Sequence, residues 1–195
     1  MSAELGVRER KKLAARKALT DAALNLFEKK GFDATTVNQI AQLAGMSPRT
    51  FFRYFETKED VVFQDAPRHL EELRSLLRSR PASESNGVAL RAALLSFAEL
   101  LEKEREEIQL RTHLARAGRT LAERAAIELQ NWRLTLADEL HRRSSNDGYT
   151  RCHLLAGVGV NVLTVAISLR ADEDRSLPEL TDHCYKQLAD VISAS

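Results

Sequence analysis

The chain has 195 residues, of which 44% are hydrophobic and 29% charged, with a formal net charge of +1 and two cysteines. This length can bury a sizeable core as one large or two small domains, and Cys152 and Cys184 are too few for a disulfide framework. The charge is unevenly placed: residues 1–30 hold eight Lys/Arg against four Asp/Glu, a local basic surface of the kind that suits nucleic acid at one end of a near-neutral protein.

The opening, MSAELGVRERKK, lacks the apolar core of a signal peptide. The longest apolar run, Leu154–Leu169, is shorter than the ~20 residues of a membrane span and is interrupted by Asn161 and Thr164. A cytoplasmic protein is expected. Residues 8–17 are basic and grade into an amphipathic helix, with Leu19, Ala22, Ala23, Leu26 and Phe27 on one face and Gly31 ending it. The basic arm that begins this helix could touch phosphates or an adjacent minor groove.

The next stretch, TVNQIAQLAGMSPRTFFRYFETK, reads as two short helices around a tight turn. Thr36 and Gln39 have the spacing of a capping box, in which each side chain satisfies a backbone donor of the first turn. Ile40, Leu43 and Ala44 give a short apolar stripe, and Gly45 offers the positive φ that ends it. Ser47 is then an N-cap with Pro48 in the first helical position, so a second helix runs from Pro48 to about Phe55. This order is that of a helix-turn-helix. Phe51 and Phe55, four apart, face a small core. Pro48, Arg49 and Thr50 stand at the N-terminus of the second helix, where such motifs reach base edges. Arg can pair with guanine, and Thr or Pro can contact a thymine methyl. Thr36, Ser47, Phe52, Arg53, Tyr54 and Lys58 are candidates for backbone contacts and positioning. Thr57 caps a further helix that begins at Lys58.

These residues resemble the DNA-binding domain of the TetR (tetracycline repressor) family of bacterial transcription regulators. The likeness rests on Gly31-Phe32, Thr35-Thr36, Ile40-Ala41, Ala44-Gly45, Ser47, Thr50, Phe51, Tyr54-Phe55 and Lys58-Glu59. Phe52 stands where the family often has Tyr, which removes a hydroxyl contact to phosphate, and Arg53 where it often has His.

Beyond Lys58 a long helix is expected to about Arg80, with Val61, Val62, Leu70, Leu73 and Leu77 on its apolar face and Pro67 kinking or interrupting it. In the family this helix joins the DNA-binding domain to the ligand domain, so the kink is either a hinge or static. Residues 81–87 are a loop by composition. Helices follow over about 87–103, to Ala117, and 119–143, with Glu104–Glu107 read as a solvated junction. SSNDG (144–148) is a turn. The last two helices run over about 149–170 and 177–193, the second opened by a Ser176/Glu179 capping box with Pro178 in its first turn. Ala156, Gly157 and Gly159 leave a shallow surface for a close neighbour.

The expectation is therefore an all-α chain of about nine helices: an N-terminal three-helix helix-turn-helix domain (1–57) and a larger helical ligand-binding and dimerisation domain (58–195). The resemblance implies a ligand-responsive repressor that binds a palindromic double-stranded DNA operator as a homodimer, with the last two helices pairing between subunits. It also implies an inducer pocket among the middle helices, for which Phe97, Leu101, Ile108, Thr112, His113, Trp132, Leu136, His153 and Asn161 are candidates. The segment from Leu121 through Trp132 to Pro178-Glu179-Leu180 is similar to the mycofactocin-type regulators of actinobacteria, which points to a bulky apolar or acyl-type effector. A DNA-binding or architectural dimer without a ligand remains the alternative. Cys152-His153 and His183-Cys184 read as packing residues, since helix neighbours diverge by about 100° and cannot readily chelate one ion. No metal, cofactor, membrane partner or catalytic constellation is expected.

Overall fold

A computed structural model describes residues 6–144 and 147–193. Residues 1–5 of the basic arm and Ser145-Asn146 of the expected turn lie outside the described residues. Among the described residues the chain is all-α, with ten helices and no strand. It forms two compact units: Met1–Gln64 with Leu114–Ala122, and Asp65–His113 with Glu123–Ser195. The first unit thus reaches past residue 57, the boundary anticipated from sequence.

The first unit holds α1 (Val7–Lys30), α2 (Val37–Leu43), α3 (Pro48–Phe52) and α4 (Glu59–Phe63). Its core is aromatic. Leu19, Ala23, Phe27, Phe32, Ile40, Ala41, Phe51, Phe55, Val61 and Val62 are buried, with the Phe27 and Phe32 ring centroids 4.9 Å apart and those of Phe51 and Phe55 5.4 Å apart. Gly31 and Gly45 take φ values of +82° and +67°, which a side chain would resist. Buried Thr35 is satisfied by its hydroxyl donating to the Gly31 carbonyl at 2.8 Å.

The helix expected over 58–80 is two helices, which is why the count is ten. α4 ends at Phe63 and α5 (Ala66–Arg78) starts after Asp65, with Pro67 in its first turn. Pro67 has no N–H to give the Phe63 carbonyl, so the helical ladder breaks four residues before it.

The second unit is built around α6 (Asn86–Glu102), which packs on α5, α9 (Tyr149–Leu169) and α10 (Leu177–Ser193). α7 (Arg105–Ala117) and α8 (Arg119–Arg143) complete the helices, and their Leu114–Ala122 stretch is grouped with the first unit. Leu90, Leu94, Phe97 and Leu101 of α6 meet Leu73 and Leu77 of α5, Leu136 and Leu140 of α8, and Ala156, Val160 and Leu163 of α9 in one core. Gly159 sets the approach of α9: a Cβ there would stand 3.0 Å from Leu90 Cδ2 and from Leu94 Cδ1. Gly157, two residues earlier, faces open space.

α9 extends five residues ahead of the apolar run seen in the sequence. At 21 residues it is long and apolar enough, by length and composition, to cross a membrane. Only 39% of its most apolar window is buried, so its outer face is uncovered while its inner face is packed.

Ion pairs lock the helices at their ends. Buried Glu139 accepts from Arg74 at 3.2 Å and lies 3.4 Å from Arg78. Glu104 lies in no free junction: its carboxylate accepts from Arg68 at 2.9 Å and sits 3.0 Å from His69 Nε2. Burial alone would raise the Glu104 carboxyl, but the hydrogen bonds from Arg68 and His69 outweigh it and hold it below the usual carboxylate range.

A carboxylate with a depressed folded pKa adds stability that is complete above the unfolded value of ~4.3 and is lost as pH falls through the folded value. Glu104→Gln should therefore lower the thermal midpoint at pH 7, and the gap from the native chain should close in acid. A gap that persists unchanged below the carboxylate range would contradict this role. Gly159→Val should cost about 1–3 kcal/mol by overpacking Leu90 and Leu94, read by urea unfolding.

Candidate nucleic-acid interface

Local hydrogen bonds set the starts of the helices in the helix-turn-helix. Thr36 and Gln39 form the full capping box: the Gln39 N–H donates to Thr36 Oγ1 at 3.3 Å, and the Thr36 N–H donates to Gln39 Oε1 at 3.1 Å. Ser47 Oγ accepts from the Thr50 N–H at 3.1 Å and lies 3.0 Å from Thr50 Oγ1, with Pro48 at the start of α3. The Thr57 N–H donates to Asp60 Oδ2 at 2.9 Å, and the Asp60 N–H donates to Thr57 Oγ1 at 3.3 Å, so Thr57 serves as the cap.

α3 is only five residues long, shorter than the Pro48–Phe55 expected, but its last turn continues through hydrogen bonds from the Tyr54 and Phe55 N–H groups to the Phe51 carbonyl. Phe51 is fully buried and Phe55 nearly so. That seating turns the other side chains outward. Ser47, Pro48, Arg49, Phe52 and Arg53 are exposed, as is Thr36, while Thr50 and Tyr54 are half-buried. Phe52 is 57% exposed, an unusual position for a large aromatic that a core could have used. The Arg53 guanidinium lies 5.0 Å from the Tyr54 ring centroid. Arg49, Thr50, Phe52 and Arg53 thus share one solvent-facing helix end.

Lys58, a candidate for backbone contact and positioning, is engaged within its own unit. Its ammonium donates to the Phe32 carbonyl at 2.8 Å and the Thr35 carbonyl at 3.1 Å, and stands 4.2 Å from the Phe32 ring centroid. Three donors on a flexible stem are directed into the α1–α2 loop. Lys58 positions the motif from within. Arg16, one cation of the basic run 8–17, packs its guanidinium 5.3 Å from the Phe55 ring centroid and donates from Nε to Gln64 at 3.1 Å.

The residues proposed for an inducer pocket do not converge. Phe97, Leu101 and Leu136 are buried in the common core, with Ile108 and Trp132 packed against it. The rings of Phe97 and Trp132 are 5.9 Å apart. Thr112 is half-buried on α7. His153 packs 4.2 Å from Tyr149 with a buried Nε2 that has no partner. His113 and Asn161 are exposed: helical spacing places them near apolar faces, but neither is buried in the core. A recess of about 10 Å³ does lie in this unit, bordered by Leu101, Glu102, Arg105, Ile108, Gln109 and Arg170 among others. Only Leu101 and Ile108 of the candidate set reach it. Arg170, buried at the end of α9, donates to Glu102 at 3.1 Å and keeps an unpartnered Nε. Its signal in the sequence was a lone cation closing an apolar helix.

The chain thus carries a capped helix-turn-helix in one unit and a second, all-helical unit, and comparison with known proteins gives the class: a bacterial transcriptional regulator. The profile for bacterial regulatory proteins of the tetR family matches residues 19–64. The mycofactocin biosynthesis regulator assigned as MftR in Mycobacterium tuberculosis is 32% identical over 181 residues, 90% of this chain and 88% of that protein. The chain belongs to the TetR family. Its fold is shared with Thermus thermophilus FadR, a TetR-family repressor solved with lauroyl-CoA (TM-score 0.58, 24% identity, 89% of this chain and 93% of that one). It is shared also with FadR from Bacillus subtilis, solved with stearoyl-CoA (TM-score 0.61, 16% identity, 88% and 96%).

Lys58→Gln should destabilise the first unit by about 1.5–3 kcal/mol, the scale of charge-assisted hydrogen bonds. It should leave the salt dependence of DNA binding unchanged. A reduced salt slope at native stability would return Lys58 to the phosphate-contacting set.

Proposed function

We propose that this TetR-family regulator is a cytoplasmic homodimer that represses transcription by binding a palindromic operator and releases it when a bulky apolar effector binds. The observation that carries the reading is Arg49: an exposed guanidinium in the first turn of a helix whose start is fixed by Ser47 and whose opposite face is sealed by Phe51. Pro48, Arg49 and Thr50 then read bases, and Thr36, Ser47, Phe52, Arg53 and Tyr54 hold the backbone. Two copies on a two-fold axis read half-sites centred about 34–36 Å apart, or a multiple of that.

The dimer is supported by the uncovered face of α9. Leu154 is 66% exposed and Val165 49% exposed on that helix, and Val191 of α10 is 66% exposed. Such side chains gain from burial against a second copy. Effector release follows from differential affinity: the ligand favours a dimer whose recognition helices no longer match the half-site spacing. An acyl-type effector is supported by the acyl-CoA molecules in the two FadR structures and by the apolar Phe97–Trp132–Leu136 cluster. The tight burial of Phe97, Leu101 and Leu136 also supports a second reading, a dimer that binds DNA with no effector. A thermal-shift series with acyl-CoA chains of increasing length separates the two.

Selection of DNA from a random library by the purified dimer tests the reading. A palindrome should emerge, and Arg49→Ala should lose about 1–3 kcal/mol of discrimination at one base pair in each half-site. Recovery of no preferred sequence would overturn it. Leu154→Glu should give a folded monomer with weakened operator binding, checked by sedimentation.

A further inference from the structure

The first three turns of α1 carry a run of cations that extends well beyond Arg16, the one that packs on Phe55. Between Val7 and Ala18 stand Arg8, Arg10, Lys11, Lys12, Arg16 and Lys17 against a single acid, Glu9. All but half-buried Ala15 and Ala18 are exposed, Val7 and Leu13 included. A polar helix segment without a packed face is not sustained by a core.

These cations are sorted by helical spacing. Arg8, Lys11, Lys12 and Arg16 are related as i, i+3, i+4 and i+8, so they lie along one face, while Arg10 and Lys17 lie elsewhere. Arg16 shows where that face looks, because its guanidinium stacks on Phe55, three residues beyond the end of α3. With a rise of ~1.5 Å per residue, Lys12 and Arg8 stand ~6 Å and ~12 Å farther toward the N-terminus along the same face. Lys12 has only a loose, solvent-exposed pairing with Glu9 at 3.8 Å.

We infer that Arg8, Lys11 and Lys12 form a second DNA-binding element, a helical stripe that extends the recognition surface past Phe55 and binds duplex phosphates flanking the half-site. The inference rests on the operator-binding reading above and adds to it a sequence-independent share of the affinity. Phosphates are the fitting partner because the stripe offers exposed cations spaced along one helix face, which attract the backbone without regard to sequence. An anionic membrane surface would attract the same charges, but the stripe is continuous with the recognition helix through Arg16 and Phe55.

The test is the salt dependence of DNA binding by the full chain with Arg8→Gln, Lys11→Gln and Lys12→Gln combined. Gln keeps a helix propensity close to that of Lys and Arg. A charge-matched control combines Arg10→Gln, Lys29→Gln and Lys30→Gln. Three phosphate contacts in each of two protomers should reduce the slope of log K against log salt by about 5. Operator and scrambled DNA should weaken by the same factor. The control should keep the native slope, as should the charge-conserving variant Arg8→Lys, Lys11→Arg, Lys12→Arg. Equal slopes for the stripe variant and the control would overturn the inference. So would loss of binding to phosphatidylserine vesicles with DNA binding unchanged. If the native chain selects no palindrome, the operator reading fails, whereas the slope on scrambled DNA still decides the stripe.

Discussion

The seating of Phe51 is the constraint on which the candidate interface depends. A five-residue helix has no stability of its own in water, because helix nucleation costs more than so few hydrogen bonds return. α3 exists because Phe51 is fully buried, Phe55 follows it into the same core, and Ser47 and Pro48 set its first turn. With one face sealed, the orientation of Arg49, Phe52 and Arg53 toward solvent is determined. Lys58 adds a second restraint by gathering the carbonyls of Phe32 and Thr35, which fixes the loop leading into α2. The candidate surface is thus held in place by contacts made within the first unit, the kind of support that a preorganised binding site needs.

The second unit depends on an analogous constraint at Gly159. Leu90 and Leu94 can occupy the space a side chain would take, so α6 and α9 approach closely. The side chains on the outer face of α9, Leu154 and Val165 among them, are left without cover. Ion pairs at the helix ends, centred on Glu139 and Glu104, tie α5 to α8 and to the start of α7. Such pairs contribute less to net stability than to register, since each charge gives up hydration to make them.

Much of this was legible in the sequence because it is local. The Thr36/Gln39 box, the Ser47–Pro48 start and the turn at Gly45 are set by neighbours within four residues, and each was read correctly. The interruption near Pro67 was readable for the same reason, though not that it would separate two helices. What was missed is what depends on distant partners. The direction of Lys58 follows from carbonyls more than twenty residues earlier. Glu104 looked solvated because its partners, Arg68 and His69, lie on another helix. Periodicity placed Phe97 and Leu136 on apolar faces but could not separate a packed core from a pocket wall. It also put Asn161 among pocket candidates, although α9 turns that residue to solvent.

Arg49 is proposed to read a guanine edge, and base-analogue substitution in a selected operator is the sharpest test of that role. Replacing the contacted guanine by 7-deazaguanine removes the N7 acceptor and little else. The native protein should lose about tenfold in affinity on that substitution, while Arg49→Ala, which has already lost the partner, should lose nothing further. Equal losses for the two proteins would contradict it and would place base readout on another side chain.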